Sequence, residues 1–310
     1  MEYAIKPLAE NNIADLYALY QEVYGKSLSH GFLEQKFDAT YLAKSYYGYF
    51  AYDHEKPIAF YGAIPIAMRY NNQTEIAAHS VNTMTHPKYR GQGLFTELAN
   101  LTYQLLQSAG FTFVLGFPNQ NSEYGFLNKL DWQYSERMMG YSTRVTRFSI
   151  EKLTKKNNVT AVVYQKYCDW VFNQYKVNRI LKTNAMLLEN AVTVDRNENY
   201  YQYKNAFGSF VIALEGCLFW IKIQNGLQLG DVEATSEEQF KKGIQKLKQL
   251  CRKAGIGEIV LQTSPKTTLH QWMQNQQWHS FDSWIVGYKN FNSSFPLENL
   301  KFTLGDVDVF

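Results

Sequence analysis

The segment Thr85-His86-Pro87-Lys88-Tyr89-Arg90-Gly91-Gln92-Gly93-Leu94-Phe95 constrains this chain most. A run rich in β-branched and aromatic residues ends there, two glycines free the backbone, and an amphipathic helical pattern starts at once. A turn of this kind brings successive backbone N–H groups and the partial positive charge of a helix N-terminus to one point, which binds an anion without a dedicated basic pocket. Gly91 and Gly93 are suited to it because a Cβ would crowd the turn or the approach of a phosphate. The expected anion is the pyrophosphate of a coenzyme.

The surroundings fit the same unit. Ile13, Leu16, Tyr17, Tyr20, Val23 and Tyr24 recur at helical spacing within 10–24, and a second short helix is expected over 32–39. Segments 48–52, 58–70 and 74–84 read as an antiparallel meander, separated by Asp53-His54-Glu55-Lys56-Pro57 and Asn71-Asn72-Gln73. A helix over 94–108, a strand over 111–117, a helix ending at Lys129-Leu130-Asp131-Trp132 and a closing strand over 133–146 complete the unit.

Composition narrows the partners. With 310 residues and 45% hydrophobic content the chain can bury a core in each of two domains. Its 31 basic and 28 acidic residues are spread along the sequence, so no basic stripe points to nucleic acid. Neither a leader pattern nor a run of membrane-spanning length occurs, so a soluble, cytoplasmic protein without a membrane partner is expected. Cys168, Cys217 and Cys251 are widely spaced, and the histidines lack metal-ligand spacing, so neither a disulfide framework nor a metal is expected.

Arg90, Gly93 and, irregularly, Phe95 fill the pattern Q/R-x-x-G-x-G/A, and the stretch resembles motif A of the GNAT superfamily of N-acetyltransferases in its β4, α3, β5, α4 order. Gly116-Phe117-Pro118-Asn119-Gln120-Asn121-Ser122 resembles a two-domain subgroup associated with amino sugars and surface polysaccharides, and more distantly the Eis-type enzymes. The resemblance implies direct acetyl transfer from acetyl-CoA to a small-molecule or sugar-linked amine, with no acyl-enzyme and no metal. It places the Met84 and Thr85 backbone on pantetheine and the amides of Tyr89, Arg90, Gly91, Gln92, Gly93, Leu94 and Phe95 on the pyrophosphate. The Arg90 side chain is a phosphate contact or a rim charge; Asn119 and Ser122 are coenzyme or substrate contacts or helix caps. The family's usual tyrosine acid falls at Leu127, and Tyr124, three residues earlier on nearly the same helical face, is its substitute or a packing or surface residue. For the base, Glu75, His79 and Thr83 share one strand face by the period of two; His79 has the more suitable ordinary pKa, and a core histidine is its plainer reading. Asp306, Asp308 and the terminus at Phe310 are alternatives suggested by Eis-type enzymes. His86 is read as a solvated residue.

The landmarks Ala109-Gly110, Pro118, Trp132 and Gly140-Tyr141 return in order as Ala254-Gly255, Pro265, Trp278 and Gly287-Tyr288. Ala109 and Trp132 stand 23 residues apart, and Ala254 and Trp278 stand 24 apart, which favours duplication over chance. The second copy has strands over 209–214, 218–224 and 227–233 and a helix over 237–253, but its acidic junction Gly230-Asp231-Val232-Glu233 would repel a pyrophosphate. The expected fold is α/β (α+β): two GNAT-like domains, each a mixed, mostly antiparallel sheet flanked by helices. Residues 1–150 form the coenzyme-binding domain and 151–310 a degenerate copy, which covers a substrate cleft or forms an interface, with Lys152 to Asn158 as the linker. Two rivals remain: a non-catalytic acyl-CoA-binding or interaction protein, and a Fem-like aminoacyl transferase, which would not need the glycine loop.

Overall fold

The computed structural model describes residues 3–42, 46–147, 149–154, 158–181 and 190–310, so part of the expected linker lies outside the described residues. In chain order the elements are β1 (Ala4–Pro7), α1 (Ile13–Tyr24), α2 (Phe32–Phe37), β2 (Tyr47–Asp53), β3 (Lys56–Tyr70), β4 (Gln73–Thr85), α3 (Leu94–Ser108), β5 (Phe113–Gly116), β6 (Gln133–Arg144), α4 (Ile150–Thr154), α5 (Asn158–Asn173), β7 (Thr193–Val194), α6 (Glu198–Asn205), β8 (Ser209–Leu214), β9 (Cys217–Ile223), β10 (Leu227–Glu233), α7 (Glu237–Ala254), β11 (Glu258–Thr263), α8 (Thr268–Gln274) and β12 (His279–Asn290). The fold is mixed α/β, and the chain packs as two compact units: Met1–Ser135 with Ile285–Asn299, and Glu136–Trp284 with Leu300–Phe310.

In the first unit β1 to β4 form an antiparallel meander, β5 joins β4 in parallel, and Gly287 to Asn290 of β12 run antiparallel to β5. Alternation along the strands feeds two cores. Phe50, Phe60, Ile64, Val81 and Met84 pack with Leu16 and Leu19 of α1 and Leu33 and Phe37 of α2. Ala51, Ala59, Tyr61, Ala63 and Ala78 pack with Leu94, Leu98, Tyr103 and Leu106 of α3. The small residues on this second face let α3 lie close to the strands.

The second unit repeats this order with other strands. β8, β9 and β10 are antiparallel, β11 joins β10 in parallel, and β6 runs antiparallel to β11. Phe240, Ile244, Leu247 and Cys251 of α7 pack on Phe219, Ile221 and Leu229. The closing strands are exchanged. β6 follows β5 in sequence yet pairs with β11, while β5 takes its antiparallel partner from the C-terminal half of β12. The strand expected to close the first unit therefore contributes mainly to the second.

Candidate functional site

β4 and β5 share only two rungs, Ala78 with Val114 and His79 with Leu115. β4 continues to Thr85 with β3 on one side, while β5 ends at Gly116 and turns away through Phe117-Pro118. Among the described residues no strand pairs with Ser80 to Thr85 on the β5 side, so the two strands splay. Within that open stretch the register against β3 shifts between Phe60 and Gly62, and Asn82 adopts φ 53°. Tyr61 thus opposes both Asn82 and Thr83, a β-bulge that re-aims the backbone of β4. The bulge also resets the alternation. Val81 and Met84, three apart, both join the core under α1, so Thr83 does not share the face of His79 as an unbroken period of two requires.

The turn after β4 is rigidly tied. The His86 N–H donates to the Ile58 carbonyl (2.8 Å), and the ring of His86 joins Glu22 through Nε2 (3.1 Å) and accepts from the Lys88 N–H through Nδ1 (3.2 Å). His86 is therefore a buried cap and not a solvated residue. The Tyr89 hydroxyl donates to Asp53 (2.6 Å), Tyr3 donates to the Gln92 side chain (2.5 Å), and Arg90 Nε donates to the Thr85 carbonyl (3.3 Å). Gly91 and Gly93 follow at φ 81° and 83°, the left-handed region where a Cβ is strained. A Cβ on either would meet nothing within 4 Å, so conformation is the reason for glycine and the space over the turn is open.

α3 starts from Gly93 without a side-chain cap. Its apolar stripe holds it instead: each fully buried side chain such as Leu98 or Leu106 contributes about 1.5–3 kcal/mol, more than the roughly 1 kcal/mol a capping side chain supplies. The Thr96 and Glu97 N–H groups return to the Gly93 carbonyl. Among the described residues, the five consecutive N–H groups of Gly91, Gln92, Gly93, Leu94 and Phe95 have no acceptor within the chain. Together with the positive end of α3 they form an anion cradle. The Phe95 ring points inward, 5.3 Å from Phe126 and 6.0 Å from Tyr61, so the large residue at the motif's last position leaves its own amide free. Gly125 makes the room, since a Cβ there would lie 3.0 Å from that ring.

The remaining expected residues divide. His79 lies on the last shared rung, 2% exposed, with its ring edge-on to Phe117 at 5.1 Å. Glu75 is not brought to the splay. It lies four residues earlier, about 13 Å along the strand, where one oxygen accepts from Ser294 (3.3 Å). The Met84 side chain is buried under α1, and the Thr85 carbonyl is engaged by Arg90. Asn119 and Ser122 close on each other: the Asn119 N–H donates to Ser122 Oγ (3.1 Å) and the Ser122 N–H to the Asn119 carbonyl (3.0 Å), which is a capping turn. The helix they cap is one short segment whose Gly125–Lys129 turn is π-helical. Leu127 packs against the α3 core, and Tyr124 is 66% exposed.

Neither Asp306 nor a cysteine supplies a free reactive group. Asp306 accepts from Arg196 through both oxygens (2.9 and 2.7 Å), Arg196 also pairs with Asp231, and all three are buried in the second unit. The ring of Phe310 is buried against Trp220. All three thiols are buried, and burial pushes Cys217 up to about 11. Among the described residues no cluster of three His, Cys, Asp or Glu could hold a metal, and no helix is long and apolar enough to cross a membrane. Sequence reasoning missed Ser80, Tyr61 and Tyr103, linked by hydroxyl contacts at the splay, because only the folded sheet brings them together.

Residues 4–135 match the family model of an acetyltransferase (GNAT) domain, and the chain is an acyltransferase. No curated relative matches it in sequence. Among solved structures it resembles a GCN5-related N-acetyltransferase from Kribbella flavida, at 9% identity and TM-score 0.60, over 93% of this chain and 71% of that one. It also resembles Eis1 from Mycobacterium abscessus, at 9% identity and TM-score 0.55, over 97% and 83%. The third is Saccharomyces cerevisiae N-myristoyltransferase with bound myristoyl-CoA, at 9% identity and TM-score 0.59, over 94% and 83%. At these identities the likeness concerns the fold.

Proposed function

We propose that this chain is an acetyl-CoA-dependent N-acetyltransferase that acts by direct transfer on a small-molecule or sugar-linked amine. The observation that carries the reading is the row of five uncommitted N–H groups from Gly91 to Phe95, set at the end of a bulged strand that splays from its neighbour. Bound there, acetyl-CoA supplies an acyl group already activated as a thioester.

The chain's own residues then have defined tasks. Gly91 to Phe95 hold the pyrophosphate through their amides, with Tyr89 and Gln92 fixing the turn and Arg90 adding charge at its rim. The backbone of Met84 and Thr85 lines the pantetheine arm, and the bulge at Asn82 presents backbone polarity toward the carbonyl to be attacked. His79 takes the proton of the amine at the base of the splay, and Tyr124 turns inward to return a proton to the departing sulfur. Asn119 and Ser122 shape the wall between them. The second half of the chain is a degenerate copy that shapes the acceptor site in a cytoplasmic enzyme. Its order of meander, helix, parallel strand and helix supports the duplication, and the start of α7, which has no glycine loop before it and is capped by Ser236 accepting from the Gln239 N–H, disfavours a second coenzyme.

A non-catalytic acyl-CoA-binding protein is the second reading, favoured by the packing of Leu127 into the core and the exposure of Tyr124. Both readings require the cradle. Gly93→Asp has space for its side chain and costs about 1–2 kcal/mol in backbone strain, so the fold should survive. Its carboxylate faces the phosphates, where like charges cost several kcal/mol, so calorimetry should show acetyl-CoA affinity reduced by roughly a hundredfold or more. Unchanged affinity refutes the site.

A further inference from the structure

In the second unit, α5 carries apolar side chains on two opposite faces. Tyr164, Cys168, Val171 and Phe172 turn inward and join the core of that unit. At 3.6 residues per turn, the steps from Val159 to Val163, Lys166 and Trp170 trace a single stripe on the far side, flanked by Val162 and Tyr167. Val159, Val162, Val163 and Trp170 are 58–71% exposed. A helix at a protein's surface ordinarily turns polar residues outward, so an outer stripe of this kind calls for a cover.

Cations border the stripe. The Tyr167 hydroxyl donates to the Lys253 carbonyl (2.8 Å), the Tyr167 and Trp170 rings stack at 6.0 Å, and Lys253 Nζ lies 4.8 Å from the Trp170 ring centre. These contacts seat the stripe beside the last turn of α7. Lys246 and Lys253, seven residues apart, share one side of that helix. Glu237 and Glu238 neutralise Lys241 and Lys242 in its first turns (2.8 and 2.7 Å), whereas Lys166, Lys246 and Lys253 have no carboxylate partner among the described residues. The one acid of α5, Asp169, is engaged by Lys176 (3.5 Å).

From this combination we infer that the outer face of α5, with Lys166, Lys246 and Lys253, docks the second unit on an anionic lipid surface. The valines and Trp170 enter the boundary between headgroups and acyl chains, and the lysines meet lipid phosphates. A second copy of the chain fits this face poorly, because about a two-fold axis through the stripe Lys166 and Lys253 would meet cations and no free acid. Nucleic acid has a use for the lysines and Trp170 but none for three exposed valines. The lack of a spanning run bears on crossing a membrane and not on lying against one, so an expectation drawn from that lack leaves a peripheral lipid partner open. Docking of this kind is independent of the coenzyme cradle.

The test co-sediments the full chain with vesicles of phosphatidylcholine alone and of phosphatidylcholine with about one-third phosphatidylglycerol. The partition coefficient should be at least roughly tenfold higher on the anionic vesicles and should fall toward the phosphatidylcholine value as salt is raised. Lys246→Gln combined with Lys253→Gln should lower it by about tenfold, and Val163→Asp by a similar factor. These side chains lie outside the core, so unfolding midpoints in denaturant should not move, which separates lost docking from lost fold. Equal partition on the two kinds of vesicle overturns the inference, as does binding to anionic vesicles that neither variant weakens. A dimer in sedimentation velocity that Val163→Asp dissociates, without vesicle binding, assigns the face to a second copy. Binding of single-stranded RNA that the lysine variant abolishes and Val163→Asp does not, again without vesicle binding, assigns it to nucleic acid; either result overturns the lipid assignment.

Discussion

At the proposed site single residues matter mainly through what their backbones leave undone. Gly91 and Gly93 are identified by φ values that other residues adopt at a cost, and the amides they expose are legible from the glycine spacing alone. Side-chain roles are less legible. An alternation rule puts Thr83 with His79, but the two-for-one bulge opposite Tyr61 breaks the period, and bulges leave no reliable mark in sequence. Likewise the spacing of Glu75 places it on the strand but not near the splay, whose start is decided by where β5 ends. Tyr124 lies on the right segment yet faces solvent, so its role as the acid requires the side chain to turn inward. If it does, Tyr124→Phe should lower kcat by roughly 10² to 10⁴ with little change in acetyl-CoA affinity, read as amine-dependent thiol release. A rate like that of the unaltered protein assigns Tyr124 to the surface.

Elements are more legible than sites because their periods are local. The α3 range matches the expected 94–108, and β8, β10 and α7 fall within a residue of expectation, since each has an apolar stripe or alternation bounded by turn residues. The helix after β5 is one short segment with a π-turn, whose fit to Phe95 and Trp132 is tertiary. Buried charge is equally illegible: Asp231 reads as an acidic junction, while the structure pairs it with Arg196, which also holds Asp306 and donates to Thr303 (2.8 Å). This pairing fastens the C-terminal segment to β10. Arg196→Met leaves two carboxylates buried without their counter-charge, so unfolding in denaturant should reveal a loss of about 3–5 kcal/mol. A loss under about 1 kcal/mol, the range of an exposed ion pair, would mean that the triad does not hold that segment.

At the scale of the whole molecule, the exchange of closing strands makes the proposed coenzyme site depend on residues far along the chain. β5 holds β4 by two rungs only, and its other edge is covered by Gly287 to Asn290. Trp132, which packs on Gly116 and donates to the Tyr103 hydroxyl, lies 3.1 Å from where a Cβ on Gly287 would stand. A chain ended at Ser149 keeps the whole glycine loop but exposes an edge of β5 and one side of Trp132. Unpaired apolar edges of this kind drive aggregation. It should therefore be poorly soluble and fail to bind acetyl-CoA in calorimetry. Joining residue 135 to 285–299 through a short glycine linker restores the missing strand, and the join is feasible because the Gln133 carbonyl oxygen lies 3.6 Å from where a Cβ on Gly287 would stand. This rewired unit should fold and bind acetyl-CoA within roughly tenfold of the full chain, while amine-dependent thiol release, which the proposal assigns to a site shaped by the second copy, should be lost. Coenzyme binding by the chain ended at Ser149, equal to that of the rewired unit, would show that the exchanged strand is dispensable to the site.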